Sequence, residues 1–246
     1  MSELTLFGPP EEDKYKPKIW SNPSFVPEKI IRTSEVFLED CKIGMKKYRN
    51  RQFDLAVVDP PYGIDMGNFK RTHTDASGNK YHKDNYSKSN WDEGIPDDEY
   101  FKELFRISKN QIIWGGNYFD LPPTQCFIFW YKRNPVKNFS DGEYAWTSFD
   151  RPALCFDYPY YGNVSGKKCA EKRIHPTQKP IELYRWIYEK FSKKGQRIID
   201  THLGSGSSRI AADMYDLNFT AYETNEDYFR DQDDRYNKFK AKISLF

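Results

Sequence analysis

Cysteine is scarce and scattered in this chain. Cys41, Cys126, Cys155 and Cys169 form no Cys-x-x-Cys pair, which argues against a zinc site or a disulfide framework and for reduced thiols in a cytosolic compartment. Long apolar runs are also lacking. A stretch such as Cys126-Phe-Ile-Phe-Trp-Tyr131 falls far short of the roughly 20 residues that span a bilayer, so no membrane association is expected. The acidic, proline-bearing start, Gly8-Pro-Pro-Glu-Glu-Asp13, has none of the basic and apolar regions of a signal peptide. Charge of one sign is missing too: 38 Lys and Arg stand against 36 Asp and Glu, for a net charge of +2. Such a balance permits a polyanionic partner without requiring one, and local clusters matter more than the sum. Lys42/Lys46/Lys47/Arg49/Arg51, Lys132/Arg133/Lys137, Lys167/Lys168/Lys172/Arg173 and Lys190/Lys193/Lys194/Arg197 are such clusters. Each reads equally well as a solvated helix or loop face.

Aromatics, by contrast, reach 17% of the 246 residues, enough for an aromatic core and for a base-stacking surface besides. Residues 1–30 carry Pro9, Pro10, Pro17, Pro23 and Pro27 with little periodicity and read as an irregular arm; residues 31–246 read as one domain. Within it, short apolar runs alternate with helical patterns. Strands are expected at 36–38, 53–58, 111–114, 126–130, 151–156, 197–200 and 219–223. A basic amphipathic stretch covers 42–49, and helices start at Pro96-Asp-Asp98, span Ile181–Phe191 and run through Ile210, Ala211 and Met214. This alternation implies an α/β fold, a mostly parallel sheet with helices on both faces. The polar segments 63–95, 131–150 and 157–173 are left for surface functions.

The C-terminal unit has the order strand, Gly-rich turn, helix, strand, acid, which suits a nucleoside cofactor at the carboxyl end of a parallel sheet. Gly204 and Gly206 permit a sharp turn and close backbone approach, while Asp200 and Glu223 end two neighbouring strands. The turn lacks the lysine of a phosphate-binding loop. Carboxylates without a phosphate cradle favour a cationic, phosphate-free cofactor, S-adenosylmethionine rather than ATP or NAD. Upstream, Asp59-Pro60-Pro61-Tyr62 closes a strand. Read plainly it is a Pro-Pro turn with a covering tyrosine. Read chemically, the Asp59 carboxylate and the Pro60 carbonyl, held rigid by proline, can each accept one hydrogen of an exocyclic base amine. That aims the nitrogen lone pair, and the carboxylate stabilises the positive charge that grows on it. Tyr62 offers a stacking face to an extruded base.

Asp59-Pro-Pro-Tyr62, His175-Pro-Thr-Gln-Lys-Pro180 and Asp200-Thr-His-Leu-Gly-Ser-Gly206 together resemble the hallmarks of the DNA amino-methyltransferases. Ile113–Tyr118 and Phe139–Trp146 are similar to the intermediate motifs of that family. The order, catalytic motif first and Gly-rich motif last, resembles the circularly permuted β group, and the likeness covers roughly residues 34–230. It implies a Rossmann-like S-adenosylmethionine-dependent methyltransferase fold. By the same resemblance Asp59, Pro60 and Tyr62 are catalytic or base-binding; Pro61 and Tyr62 are read as substrate contacts, and the basic residues Lys70 and Arg71 of the first polar loop as contacts to DNA phosphate. Asp40, Thr177, Lys179, Asp200, Gly204, Gly206, Ser207 and Glu223 surround the cofactor, and no metal is implied. Many members have Pro-Phe where this chain has Thr201-His202; His202 is read as a tolerated substitute.

The expected activity is transfer of methyl to adenine N6 in double-stranded DNA, in the cytoplasm of a bacterial or phage-infected cell, on the nucleoid. Aspartate rather than serine at position 59 leans toward adenine. Cytosine N4 is the nearest rival, and a catalytically degenerate DNA-binding protein is the rival from another class. With no large recognition domain evident, target reading falls to 63–95, 131–150, 157–173 or a partner. A homodimer and a companion restriction endonuclease are the further partners to expect.

Overall fold

The computed structural model describes residues 32–64, 72–74, 80–82, 94–133, 140–160 and 173–243. The expected N-terminal arm and the proposed phosphate contacts Lys70 and Arg71 lie outside these residues, as do parts of the three polar segments.

Eight strands form one sheet. In chain order they are β1 (Ser34–Leu38), β2 (Phe53–Val58), β5 (Ser108–Trp114), β6 (Phe127–Tyr131), β7 (Gly142–Thr147), β8 (Leu154–Asp157), β9 (Arg197–Asp200) and β10 (Asn218–Glu223). Strands β3 (Thr72–Thr74) and β4 (Lys80–His82) pair antiparallel in a separate hairpin inside the first polar segment. The sheet order is β1-β10-β9-β2-β5-β7-β6-β8. All neighbours pair in parallel except at β7, which runs antiparallel to both β5 and β6.

Strand β2 shows why the apolar pattern folds this way. Leu55 and Val57 point into one core with Ile112, Trp114, Leu183 and Ile187. Ala56 and Val58 point to the other face, against Tyr100, Leu104 and Ile107. A strand alternates faces residue by residue, so one apolar on both parities must be covered twice. Helices α3 (Ile181–Phe191) and α4 (Ser207–Met214) cover the first face, and α1 (Cys41–Met45) and α2 (Asp98–Ile107) the second. Helix α2 begins where Asp97 accepts the Tyr100 backbone N–H at 3.0 Å, a side-chain cap on an otherwise orphaned donor.

Three sequence expectations need correction. Segment 131–150 is not a recognition loop throughout, because Gly142–Thr147 is strand β7, inserted between β5 and β6 with Ala145, Trp146 and Thr147 buried. The basic stretch 42–49 is helical only to Met45. The chain turns at Asn50 and Arg51, the latter at φ 54°. A helix that the strand-helix alternation did not anticipate, α5 (Glu226–Ile243), closes the described chain, started by Asn225 accepting from the Asp227 and Tyr228 amides. Among the described residues no helix is long and apolar enough to cross a membrane.

Candidate active site

From β9 the chain proceeds through α4 to β10 on one side; from β2 it proceeds through α2 to β5 on the other. The adjacent strands β9 and β2 therefore flank a point where the topology diverges, and in open sheets of this kind the crevice beyond the carboxyl ends at such a point is where ligands bind. Asp200 is the last residue of β9 and Asp59 follows the last residue of β2. The two expected half-sites, far apart in sequence, thus share one crevice. The reversed strand β7 contributes as well. Because it runs antiparallel, its first residues lie beside the ends of β5 and β6, with Glu143 opposite Trp130.

In the β2 half, the Tyr62 hydroxyl donates to Asp59 Oδ1 at 2.5 Å, and Lys179 Nζ donates to Asp59 Oδ2. Lys179 is 5% exposed. Burial alone would lower its pKa, but Asp59 and Glu143 more than offset that and raise it, so the ammonium keeps its proton. Glu143 faces the same ammonium at 3.3 Å through Oε2 and binds Lys132 through Oε1. Burial would raise the Glu143 carboxyl, but Lys179 and Lys132 hold it down at about 2. Burial and the Asp59 charge push the Tyr62 phenol up, which keeps it a donor. The Tyr62 ring stacks on Tyr118 with centroids 5.0 Å apart and planes 14° from parallel. Gly115, at φ 70°, makes room for that ring. Pro60 is buried and Pro61 half-buried. Among the described residues no hydrogen bond reaches the Pro60 carbonyl.

In the β9 half, Asp200 accepts from the Ser208 hydroxyl at 2.5 Å and the His202 amide at 3.1 Å. Burial nevertheless pushes its carboxyl up to about 7, with the Asp59 and Glu223 charges adding to the rise. Glu223 ends β10 and accepts the Gly204 amide at 2.9 Å and those of Thr224 and Asn225 at 2.9 Å; burial raises it too. Asp40 follows β1 and caps α1 by accepting the Lys42 amide at 2.7 Å. Gly204 and Gly206 both have positive φ, 52° and 71°. A Cβ on Gly204 would sit 3.6 Å from the His175 ring, an ordinary contact, so it is the left-handed backbone rather than lack of space that calls for glycine here. Among the described residues no cation pairs with Asp200, Glu223 or Asp40. Arg235 reaches the turn through the Ser205 carbonyl and the Ser207 hydroxyl, and acids that form no ion pair among the described residues suit a cationic ligand such as the sulfonium and ammonium of S-adenosylmethionine.

The segment His175–Pro180 ties the halves together. Thr177 folds back on the His175 ring, its hydroxyl 3.1 Å from Nδ1. The Ser207 hydroxyl donates to the Lys179 carbonyl at 2.7 Å. Lys179 therefore touches the glycine turn with its backbone and Asp59 with its side chain.

The DNA methylase family of N6 and N4 methyltransferases matches residues 53–233. The chain belongs to that family. This DNA methylase is 24% identical, over 254 aligned residues, to the type II methyltransferase M2.MboI of Moraxella bovis, covering 85% of this chain and 92% of the relative. Its fold is similar to that of M1.HpyAVI in complex with S-adenosylmethionine, with a TM-score of 0.52, 18% identity, and 83% of this chain and 100% of that one covered. It is also similar to the cytosine-N4-specific PvuII DNA methyltransferase, with a TM-score of 0.50, 12% identity, and 85% and 92% covered. At such identities the two structural likenesses concern the fold.

Of the residues singled out in the sequence of this DNA methylase, Asp59, Pro60, Tyr62, Asp200, Gly204, Gly206 and Glu223 converge on the crevice. Ser207 is buried and committed to Lys179. The side chain of Lys179, expected near the cofactor, reaches the Asp59 half. Sequence reading placed Tyr118 and Glu143 in stretches similar to family motifs and Lys132 in a basic cluster, but gave none of the three an individual role in the site. The available signal was an acid inside the aromatic stretch Glu143-Tyr-Ala-Trp146, next to a strand end. His202, read as a substitute, makes a structured contact: its Nδ1 lies 2.9 Å from the Thr201 hydroxyl, itself 2.7 Å from the Tyr100 hydroxyl.

Proposed function

We propose that this chain methylates the N6 amino group of adenine in double-stranded DNA, using the Asp59-Pro-Pro-Tyr62 turn as its catalytic apparatus. The observation that carries the reading is a half-buried carboxylate, Asp59, beside a Pro60 carbonyl that takes no hydrogen bond among the described residues, with Asp200 on the adjacent strand and Glu223 one strand beyond. The methyl donor is S-adenosylmethionine, which supplies an electrophilic methyl group on a cationic sulfur. Asp200, Gly204, Gly206 and Glu223 would hold it, with Asp40 and Thr177 at the margins.

A base amine is a poor nucleophile because its lone pair is delocalised into the ring. Asp59 and the Pro60 carbonyl accept its two hydrogens and draw the nitrogen toward tetrahedral geometry. The Asp59 charge then stabilises the cationic nitrogen, an environment set in advance of the reaction. A base reaches this depth only after leaving the helix stack. Tyr62 and Tyr118 form an aromatic platform, and the outer ring, Tyr118, is 43% exposed. Segment 63–95, with Lys70 and Arg71, is assigned to phosphate contacts, and the parts of segments 131–150 and 157–173 outside the sheet strands to target reading; phosphate contacts fix position without reading sequence. The type II designation of the Moraxella relative supports a place in restriction-modification beside a companion endonuclease, and a homodimer would enlarge a small recognition surface.

Digestion of methylated duplex DNA followed by nucleoside mass spectrometry tests the base assignment. The expected product is N6-methyladenine, whereas N4-methylcytosine would move the assignment to cytosine. Asp59→Ala should abolish labelled transfer while cofactor binding persists. Transfer that survives this substitution would sink the mechanism.

A further inference from the structure

Asp59 has two oxygens, and both are occupied. The Tyr62 hydroxyl holds Oδ1 at 2.5 Å and the Lys179 ammonium holds Oδ2. If Asp59 is to accept a base amino hydrogen, as proposed above, one occupant must leave. Tyr62 is pinned through its ring, stacked on Tyr118 and packed against Gly115. Lys179 is the mobile partner, because a lysine ammonium is a point charge on a flexible stem. Yet it is buried and cannot leave for water without a large opening of the site. A buried ammonium stripped of its carboxylate is strongly disfavoured.

An alternative acceptor is already in place. Glu143 Oε2 is shut off from solvent and makes no hydrogen bond in the structure. It faces the Lys179 ammonium at 3.3 Å, close enough for a direct ion pair but not aligned as a hydrogen bond. An unsatisfied buried carboxylate oxygen is costly and uncommon. The other oxygen of Glu143 is fixed by Lys132, whose ammonium lies 4.7 Å from the centre of the Trp130 ring. Lys179 itself lies 5.3 Å from the centre of the Trp114 ring, so the path between the two carboxylates is flanked by an aromatic face that tolerates a cation.

We infer that Lys179 is a displaceable stand-in for the substrate amine: base entry shifts its ammonium from Asp59 Oδ2 to Glu143 Oε2, and Glu143 is the positioning residue that receives it. The shift has an electrostatic consequence. With Lys179 on Asp59 the carboxylate is neutralised and is a weak acceptor. With Lys179 on Glu143 the Asp59 charge is released for the nitrogen that becomes cationic during transfer. The ammonium stays paired throughout, and no proton moves. The inference rests on Asp59 acting as the amine acceptor, and on nothing in the cofactor half.

The test is single-turnover methylation of duplex DNA, enzyme in excess, by the full chain and its variants, with cofactor Kd measured in parallel as the check on folding. Glu143→Gln keeps the shape and removes the receiving charge. Its single-turnover rate should fall at least about tenfold while cofactor and DNA affinities change by less than about threefold, the pattern of an interaction lost after ground-state binding. The discriminating variant is Lys179→Gln in the Glu143→Gln background. With no ammonium to displace, the double variant should be faster than Glu143→Gln alone, a non-additivity that a merely structural role does not generate. A wild-type rate in Glu143→Gln overturns the inference, and so does a double variant no faster than the single one. Activity in Asp59→Ala would instead overturn the reading on which it rests, so the two failures are distinguishable.

Discussion

Gly115 isolates the contribution of the Tyr62 platform. It follows the last residue of β5 at φ 70°, and a Cβ placed there would lie 2.2 Å from Tyr62 Cε1, 2.5 Å from Cδ1 and 2.7 Å from Cζ. Carbon atoms in contact prefer about 3.5–4 Å, so in Gly115→Ala the ring must retreat by more than ~1 Å. The 2.5 Å hydrogen bond to Asp59 and the 5.0 Å stack on Tyr118 are both incompatible with that retreat. The left-handed backbone alone costs an alanine about 1 kcal/mol, and forcing extra volume into a packed place adds about 1–3 kcal/mol. The expected destabilisation is therefore about 2–4 kcal/mol by urea titration. Loss of a stacking face for a base is worth about 1–3 kcal/mol; at the middle of that range kcat/KM for DNA methylation falls by a factor of about 10–100. Gly195→Ala is the matched control. Its φ is 81°, yet nothing lies within 4 Å of the added carbon. It should cost only the backbone term, about 1 kcal/mol, and leave methylation within about twofold of wild type. If Gly115→Ala proved no more harmful than Gly195→Ala in both assays, the packed Tyr62 platform would be irrelevant to catalysis.

Further outcomes follow from other charges in the fold. Asp200 is held up at about 7 by burial, so between about pH 4 and 7 the folded chain binds a proton that the unfolded chain has released. The cofactor-free protein should therefore lose stability as pH rises through that window. Asp200→Asn should flatten the loss in thermal melts, and an unchanged slope would count against the assignment. A cationic ligand favours the ionised carboxylate, so cofactor binding near pH 7 should release a proton, detectable as buffer-dependent heat in calorimetry. Arg209 is buried in α4, bonded to Gln232 at 3.0 Å, Asp233 at 2.8 Å and Ser34 at 3.0 Å, with its guanidinium 3.8 Å from the centre of the Tyr236 ring. Arg209→Ala should destabilise the fold by about 3 kcal/mol, because it strands polar partners and empties a packed place. Urea titration measures this, and a loss below about 1 kcal/mol would mean that α5 is held by its other contacts.

The elements legible in the sequence are those whose burial is written locally. Strand β2 is an unbroken apolar run ending at a Pro-Pro turn, and α3 carries Leu183, Tyr184, Ile187 and Tyr188 on its buried side, so both were readable from periodicity. Helix α5 was not, because its pattern is diluted. Only Tyr228, Gln232 and Tyr236, spaced four apart in a highly charged stretch, turn inward. Strand β7 hid in a segment of polar appearance because its first half, Gly142-Glu-Tyr144, is only half-buried. The glycine turn and Asp59 announced themselves as local motifs. The ion pair between Asp59 and Lys179 could not, since 120 residues separate the two and only the sheet order brings them together. Sequence reading put Lys179 with its neighbours in the chain, whereas its long side chain crosses to the other half.

The two halves of the crevice treat their acids differently, and the difference matches what each half is asked to bind. Asp200, Glu223 and Asp40 carry no internal counter-cation among the described residues, and burial leaves the first two with raised pKa values. Such a half is incomplete until a permanently charged ligand arrives. Asp59 and Glu143, in contrast, share Lys179 and Lys132, and the four charges balance within the site. An acceptor of this kind suits a ligand that enters neutral and becomes cationic only in passing. An uncompensated carboxylate at Asp59 would attract a cation at rest and would hold it too tightly to turn over. A permanently compensated one would offer the reacting amine little. The lysine resolves the conflict by being internal, charged and displaceable over a short distance, so that the Asp59 charge becomes available only when a base is present to use it.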